Sequence, residues 1–273
     1  MRKYIAVLCL LFLICSCKKD YGDLNNATVQ EFTANATEGE LNNLVSGTES
    51  GMRTNLALYL DDVGIIGREM YHFSISEPRY VTDLPGAAGA TLSNSNFYIT
   101  NPWASRYQVV KNCNVLIQAA TNSKSITAAQ RSGYIGFART IKAYQLLLLL
   151  NLTDSNGVRI DVSDPNNLGP LVPPAGALAA ISALLDSAKT DLGTASVAFT
   201  LAGFGNFGDA AGLTKVNRAL AARVDVYRQN WAAALTDLSQ SFFGLHSDLT
   251  LGVSDVFGTG SGDQLNGFFI PCE

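Results

Sequence analysis

The chain has 273 residues and a formal net charge of −4, and its length allows one large domain or two small ones with a substantial buried core. The slightly acidic balance, without a cluster of lysine or arginine, argues against nucleic-acid binding, because phosphates require concentrated positive charge. Of the five cysteines, three lie at the N-terminus, which leaves too few thiols for a metal or redox framework.

The N-terminus has the three parts of a secretory signal peptide. Arg2 and Lys3 form the charged start, an apolar run covers residues 4–14, and the small Ser16 precedes Cys17. The run is too short to span a membrane, which needs about 20 apolar residues. The four residues that end in Cys17 resemble a bacterial lipobox, so we expect residues 1–16 to be removed and Cys17 to be lipidated. The alternative is an ordinary signal peptide whose cysteines are incidental.

Beyond Cys17 we predict a polar, lipidated tether over residues 17–36 and a helical domain over residues 37–273. The first helix is predicted to start near Thr37, which forms a capping box with Glu40. Residues 56–70 are predicted to be helical or broken by glycines. Helical periodicity predicts further helices at 103–120, 127–150, 175–192, 214–227 and 231–242. The leucine run that ends the helix 127–150 indicates burial on most sides.

Residues 151–174 are predicted to form an extended connector, because they contain several proline steps. Acidic residues in this connector are the oxygen ligands that calcium takes, but their spacing lacks the EF-hand pattern, so we predict no metal site. Cys113 is interpreted as a buried helix residue and Cys272 as incidental. A disulfide between these two thiols is the alternative.

The segment from 71 to 102 interrupts the helical pattern. It is rich in proline, serine and asparagine and also contains five aromatic residues. We predict a long irregular loop there. Loops of this length inside a compact domain are usually functional or disordered, and the aromatic content favours function.

The last two predicted helices show the sharpest internal pattern. Small Ala222, Ala234 and Ser241 recur where two antiparallel helices would cross, with the large Trp231 at the turn. This pattern is typical of tetratricopeptide units, which stack because one helical hairpin leaves its apolar face uncovered. The sequence therefore predicts a predominantly all-α fold of tetratricopeptide-like helical pairs with long irregular loop insertions.

The titratable residues do not form a recognisable catalytic pattern. His72 and His246 are far apart in the sequence and have no patterned partner. Asp61, Asp62 and Asp83 are candidate acids, but nothing sets the separation that glycoside hydrolysis requires, and we interpret Asp61 and Asp62 as solvated surface charge. The sequence contains no nucleophile elbow, zinc-binding helix or phosphate loop. We expect no enzymatic activity and no cofactor.

The composition of the irregular loop favours sugar binding. Flat aromatic faces cover the apolar side of a pyranose ring, while amide and guanidinium groups bind its hydroxyls. The alternative is that these aromatic side chains fix the loop to the helices and that the asparagines serve turns. The candidate ligand-binding residues are Arg79, Tyr80, Asn96, Phe97, Tyr98 and Asn101, and Tyr80 and Tyr98 are the leading ones.

Several sequence blocks follow one another as in a known family. The first is the lipobox, and the second is the helix with Trp103 and Tyr107 that continues to Ile117. Further blocks lie at 136–144, 157–160, 169–172, 181–192 and 215–235. With these motifs the chain resembles the SusD/RagB family of outer-membrane nutrient-binding lipoproteins, over nearly its whole length after Cys17. The resemblance implies that Trp103 and Trp231 belong to the helical scaffold.

The resemblance implies a lipid-anchored, surface-exposed protein of the outer membrane. Such a protein captures an oligomeric nutrient, above all a glycan, and passes it to a TonB-dependent, SusC-like transporter. Family members are much longer, so the resemblance also implies that the binding domain is incomplete at the C-terminus. The alternative from another class is a tethered helical scaffold for protein interactions, or a fragment of a binding protein that no longer functions.

Overall fold

The structure, a computed structural model, describes residues 29–73, 76–244, 248, 250–260 and 263–268. The predicted signal peptide (residues 1–16), Cys17, His246 and Cys272 lie outside the described residues. Helices make up 62% of the described part of the chain, which contains one sheet, of two strands. The predicted, predominantly all-α fold class is confirmed.

The described residues form eight α-helices and a short antiparallel hairpin. The strands are β1 (Val158–Arg159) and β2 (Leu171–Val172), in which Val158 pairs with Val172. The helices are α1 (Val29–Asn35), α2 (Glu38–Arg53), α3 (Leu56–Ile66), α4 (Phe97–Asn122), α5 (Ala128–Thr153), α6 (Pro174–Leu192), α7 (Ala210–Tyr227) and α8 (Trp231–Ser239).

The helices from α4 to α8 each pack against the next one along the chain, and α1, α2 and α3 pack against α4. This order of neighbours is what stacked helical pairs require. One hydrophobic core lies among α2, α4, α5 and α7, and a second lies among α4, α5, α6 and α7. The leucine run of α5, residues 146–150, is buried as predicted. Cys113 is also fully buried, on α4.

The predicted starts of two helices are confirmed by their hydrogen bonds. Thr37 caps α2, and the Glu40 carboxylate accepts from the Thr37 backbone N–H at 2.7 Å. Thr127 and Gln130 form the same reciprocal box at the start of α5. Each box satisfies backbone donors that a helix N-terminus otherwise leaves free.

Gly136 allows α5 and α6 to approach each other closely. A Cβ atom at this position would lie 2.7 Å from Cγ of Leu192 and 3.3 Å from the carbonyl oxygen of Ala188. The first distance is too short for real carbon atoms, so the Leu192 side chain would have to shift if the glycine were replaced, and the Ala188 carbonyl would have to give slightly. The absence of a side chain at residue 136 therefore favours this close approach.

Several predicted boundaries were wrong. The tether was expected to extend to residue 36, but α1 already forms from Val29 and packs against α4. Helix α4 begins at Phe97, because Tyr98 is buried with Ile65 and Leu84 and fixes the first turn ahead of Pro102. Helix α7 begins at residue 210, since the Asp209 side chain caps it, and α8 ends at residue 239.

The assignment of Trp231 to the scaffold was also wrong. Trp231 is 61% exposed at the start of α8, whereas Ala222 and Ala234 are buried at the crossing of α7 and α8 as expected. The small residues lie at that crossing, and the indole is left on the outer surface. Trp103, in contrast, packs against the second core and lies edge-on to Tyr107 at 4.8 Å. In the described residues no helix is long and apolar enough to cross a bilayer.

Candidate functional site

A cleft of about 590 Å³ lies beside the start of α3, and we call it the Tyr80 cleft. Its volume is within the range of about 300–1,000 Å³ that is usual for ligand sites. Two aromatic rings and several polar groups line it together. The lining residues are Arg53, Thr54, Asn55, Leu56, Ala57, Leu58, Asp61, Tyr80, Phe257, Gln264, Leu265 and Gly267.

The turn between α2 and α3 forms the floor of the cleft, and Arg106 of α4 holds it in place. The fully buried Arg106 guanidinium donates to the carbonyl oxygen of Met52 at 2.7 Å and to that of Thr54. It also donates to Oε1 of Gln145 at 3.0 Å. These bonds satisfy carbonyl groups that the end of a helix leaves free. Asn55 then adopts a left-handed conformation with φ 54°, which asparagine tolerates well.

Residues from the stretches 250–260 and 263–268 form another wall of the cleft. Arg53 pairs with Asp263 at 2.8 Å and lies 5.9 Å from the centre of the Phe257 ring. Gln264 donates through Nε2 to the carbonyl oxygen of Ser50 at 2.7 Å. These contacts fasten the two stretches to α2, and Phe257 lines the cleft together with Tyr80.

Tyr80 lies on a short helical turn, Pro78–Tyr80, and its ring stacks on His72 with centroids 4.4 Å apart. His72 Nε2 lies 3.7 Å from Oδ1 of Asp61. Burial raises the pKa of Asp61, and the nearby His72 partly offsets that effect. Burial, together with the charges of Asp61 and Asp62, raises the pKa of Tyr80 to about 12. The Tyr80 hydroxyl is therefore a proton donor at neutral pH.

Asp62 is the most unusual group beside the cleft. Its side chain is fully buried, and neither carboxylate oxygen has a hydrogen-bond partner among the described residues. Burial, and then the neighbouring Asp61, raises its pKa to about 8. The interpretation of Asp61 and Asp62 as solvated surface charge was wrong, because Asp62 shares the inward stripe of α3 with Tyr59 and Ile65.

An isosteric substitution of Asp62 tests this environment. An aspartate in the unfolded chain ionises near its ordinary pKa of 3.8, while the folded one stays protonated up to about pH 8, so the stability of the protein falls between these pH values. We expect Asp62→Asn to remove this slope, which is up to about 1.4 kcal/mol per pH unit. Urea unfolding at several pH values measures it. The exposed Asp164→Asn is the control, and equal slopes for both variants would contradict the assignment.

Of the six predicted ligand-binding residues, Tyr80 lines the cleft. Behind it, Arg79 pairs with Glu77 at 2.6 Å and lies over the Phe97 ring at 4.7 Å. Asn96 accepts from Arg79 at 3.5 Å. The polar groups of Arg79 and Asn96 are therefore already hydrogen-bonded, and these side chains support Tyr80 without lining the cleft.

Tyr98 and Asn101 lie apart from the cleft lining. Tyr98 has no exposed surface, and its hydroxyl donates to Asp83 at 3.1 Å and accepts from the Ser93 N–H at 2.8 Å. In this conformation Tyr98 fixes the loop and has no surface to offer a ligand. Asn101 is exposed on the first turns of α4.

Sequence reasoning missed Arg53, Asn55, Phe257 and Gln264 as cleft residues. They come from parts of the chain separated by some 200 positions, and only the packing of the stretches 250–260 and 263–268 on α2 brings them together. The one available signal was Asp62, a charge on the apolar stripe of α3.

A second groove lies on the face of α4 that carries Trp103. It measures about 370 Å³ and is lined by Trp103, Tyr107, Gln108, Lys111 and Arg159, among others. The Tyr107 hydroxyl is occupied, since it accepts from the Arg159 N–H at 2.8 Å and donates to the Arg159 carbonyl at 3.1 Å. The described residues contain no group of three or more acidic, histidine or cysteine side chains able to hold a metal ion.

No protein-family model matches this chain, and no curated protein matches it. The resemblance to the SusD/RagB family therefore depends on the lipobox and the sequence blocks described above.

Proposed function

We propose that this protein is a lipid-anchored lipoprotein of the outer membrane that captures oligomeric nutrients, above all glycans, without altering them. The observation that carries the proposal is the Tyr80 cleft. Two aromatic rings, Tyr80 and Phe257, face a space that is also lined by a carboxylate and by the amides of Asn55 and Gln264. Aromatic faces with a few placed polar groups are the composition that a sugar site needs.

In this proposal, binding is an equilibrium without bond making or breaking. The sugar rings lie against Tyr80 and Phe257, and their hydroxyls exchange hydrogen bonds with Asn55, Asp61 and Gln264. The Tyr80 hydroxyl, which keeps its proton at neutral pH, donates to a sugar oxygen. Because the ring of Tyr80 is held by His72, little side-chain freedom is lost on binding.

The anchor and the partner come from the sequence motifs. Acyl chains on Cys17 would hold the protein at the membrane, since two or more chains anchor firmly where a single one binds marginally. The bound oligomer would then pass to a TonB-dependent, SusC-like transporter, as the resemblance implies. The protein would act as a surface-exposed capture component of that pair.

One observation favours a helical scaffold as the second candidate function. Trp231 and Leu235 are 61% and 69% exposed on the outer face of α8, one turn apart. Large apolar side chains that lie together on a surface often mark contacts with other proteins. A scaffold of this kind would organise envelope proteins and would bind no glycan.

Titration of the purified full-length protein with a panel of soluble oligosaccharides separates the two functions. Nutrient capture predicts saturable binding of at least one oligosaccharide, with no release of shorter products. If none of the oligosaccharides binds, nutrient capture is rejected and the scaffold function is favoured. Turnover of any glycan would contradict the absence of enzymatic activity.

A further inference from the structure

We propose that the groove at Trp103 is an accessory binding site for oligosaccharides that carry carboxylate groups, such as chains of uronic acids. This site goes beyond the capture proposed for the Tyr80 cleft, with which its lining shares no residue. Two cations and, among the described residues, no carboxylate line the groove. The balance of charge therefore favours an anionic ligand.

One face of α4 forms the first wall of the groove. Trp103, Tyr107 and Lys111 follow one another at intervals of four residues, so they lie on the same side of the helix. Trp103 is half-buried, because it packs against the second core and also lines the groove. An aromatic ring held in this way covers the apolar face of a sugar ring and loses little freedom on binding.

The loop between β1 and β2 forms the second wall. Its backbone closes on itself, because the carbonyl oxygen of Asp161 accepts from the N–H of Gly169 at 2.9 Å. The Asp161 side chain is bound within the loop, where Oδ1 accepts from the Ser163 hydroxyl at 2.6 Å. The loop lines the groove with three apolar residues, Val162, Pro165 and Leu168. It thus adds apolar surface and no negative charge to the lining.

Lys111 and Arg159 are the two cations of the groove. Within the described ranges, neither side chain takes part in an ion pair. Lys111 is exposed, and its ammonium group has no hydrogen-bond partner in that part of the chain. The Arg159 guanidinium donates through Nη1 to the carbonyl oxygen of Gly169, which orients it and leaves its other donors for a ligand. A guanidinium fork matches the two oxygens of a carboxylate.

A neighbouring groove extends the site past Trp103. It measures about 520 Å³, and Trp103 lines it as well. Its polar lining residues are neutral, namely Asn94, Thr100, Thr153 and Asn156. An oligomer can therefore lie across the indole, with its carboxylates at the two cations and its hydroxyls at these amides and hydroxyls. A simple anion would use the cations alone and leave the indole without a role.

Salt dependence gives this site a signature of its own. Lys111 is exposed, so its attraction for a carboxylate is screened by salt and adds only modestly to the affinity. We therefore expect the groove to bind charged oligomers less tightly as the ionic strength rises. The contacts of a neutral sugar with the indole and the amides lack this dependence.

Fluorescence of Trp103 in the full-length protein tests the inference. The chain has two tryptophans, so Trp231→Phe leaves Trp103 as the reporter. The ligands are a galacturonic acid oligomer and its methyl-esterified counterpart of equal length, at neutral pH and low ionic strength. We expect the acid oligomer to change the fluorescence saturably and to bind at least about fivefold more tightly than the ester. At about 1 M salt, where the Debye length is about 3 Å, this difference should disappear.

Two charge-removing substitutions in this background, Lys111→Gln and Arg159→Gln, locate the contact. We expect each to abolish the preference for the acid oligomer. Lys215→Gln removes an exposed lysine from α7 that is likewise without an ion-pair partner in the described ranges, and it should keep the preference. Because Lys111 is exposed, its replacement should leave the unfolding midpoint unchanged.

The outcomes separate this site from the Tyr80 cleft. Equal affinity for the acid oligomer and the ester, or an undiminished preference in Lys111→Gln, would overturn the inference and leave capture at the cleft standing. Binding that calorimetry detects without any change in Trp103 fluorescence would overturn it in the same way. Displacement of the acid oligomer by an equal concentration of inorganic phosphate would overturn the sugar assignment and indicate a site for simple anions.

Discussion

Replacing Arg218 with alanine is expected to destabilise the protein by about 3–5 kcal/mol, because it removes one partner of a buried charge network. The side chain is 2% exposed and lies 3.0 Å from Oδ1 of Asp237 on α8 and 2.9 Å from Oδ1 of Asp186 on α6. Asp186 is largely exposed and contributes little. Asp237 is 13% exposed, so its charge would stay nearly buried without a cation.

The same substitution would also disturb Asn217, which is fully buried. Its Oδ1 accepts from Nε of Arg218 at 2.8 Å, while its Nδ2 donates to Thr140 on α5 and to the Leu185 carbonyl on α6. Arg218 thus orients the amide that connects α7 to two other helices. An unsatisfied buried acceptor adds about 1–3 kcal/mol to the loss.

Urea unfolding measures this effect, and Arg223→Ala is the matched control. Arg223 lies on the same helix but is exposed, and it donates to the hydroxyl of Tyr227. We expect its loss to change the free energy of unfolding by less than about 1 kcal/mol. Similar losses for both variants would show that the network around Arg218 does not hold the helices together.

Replacing Tyr80 with alanine is expected to weaken oligosaccharide binding at least tenfold, since a central aromatic contact is often worth about 2 kcal/mol or more. The ring is the predicted sugar face, and its hydroxyl is a donor at neutral pH. Truncation would also release His72 from its stacked position. Both losses weaken the contacts with the ligand and change the fold only locally.

Two controls separate this loss from unfolding of the loop. Tyr80→Leu keeps apolar bulk behind the cleft but removes the flat face, so it should bind as weakly as Tyr80→Ala with an unchanged unfolding midpoint. Tyr227→Ala removes an exposed tyrosine from α7. We expect this variant to bind the oligosaccharide as tightly as the wild-type protein does. If Tyr80→Leu retained full affinity, the aromatic face would have no part in binding.

The helical framework was predictable where the deciding interactions are local. Thr37 and Thr127 cap helices through residues three positions away, and the leucine run of α5 is apolar on every side. The predicted helix boundaries were wrong where contacts between residues distant in the sequence determine them. Tyr98, buried with Ile65 and Leu84, starts α4 ahead of Pro102, and no neighbour in the sequence reveals that contact.

One residue of the candidate site could be predicted from the sequence. Tyr80 stands out as an aromatic residue in a polar loop, and it does line the cleft. Arg79 and Asn96 have the same appearance in the sequence, yet they pair with neighbours. Phe257 and Gln264 reach the cleft because Arg53 and Ser50 hold their segment on α2, which is a property of the folded chain.

Hydrogen exchange of the full-length protein, with and without its tightest-binding oligosaccharide, tests most directly whether the Tyr80 cleft captures the nutrient. The first amides of α3, at Leu56, Ala57 and Leu58, lack partners within the helix and should exchange fast in the free protein. We predict that the ligand slows them and the amides around Tyr80. Unchanged exchange there, or protection confined to the groove at Trp103, would contradict capture at this cleft.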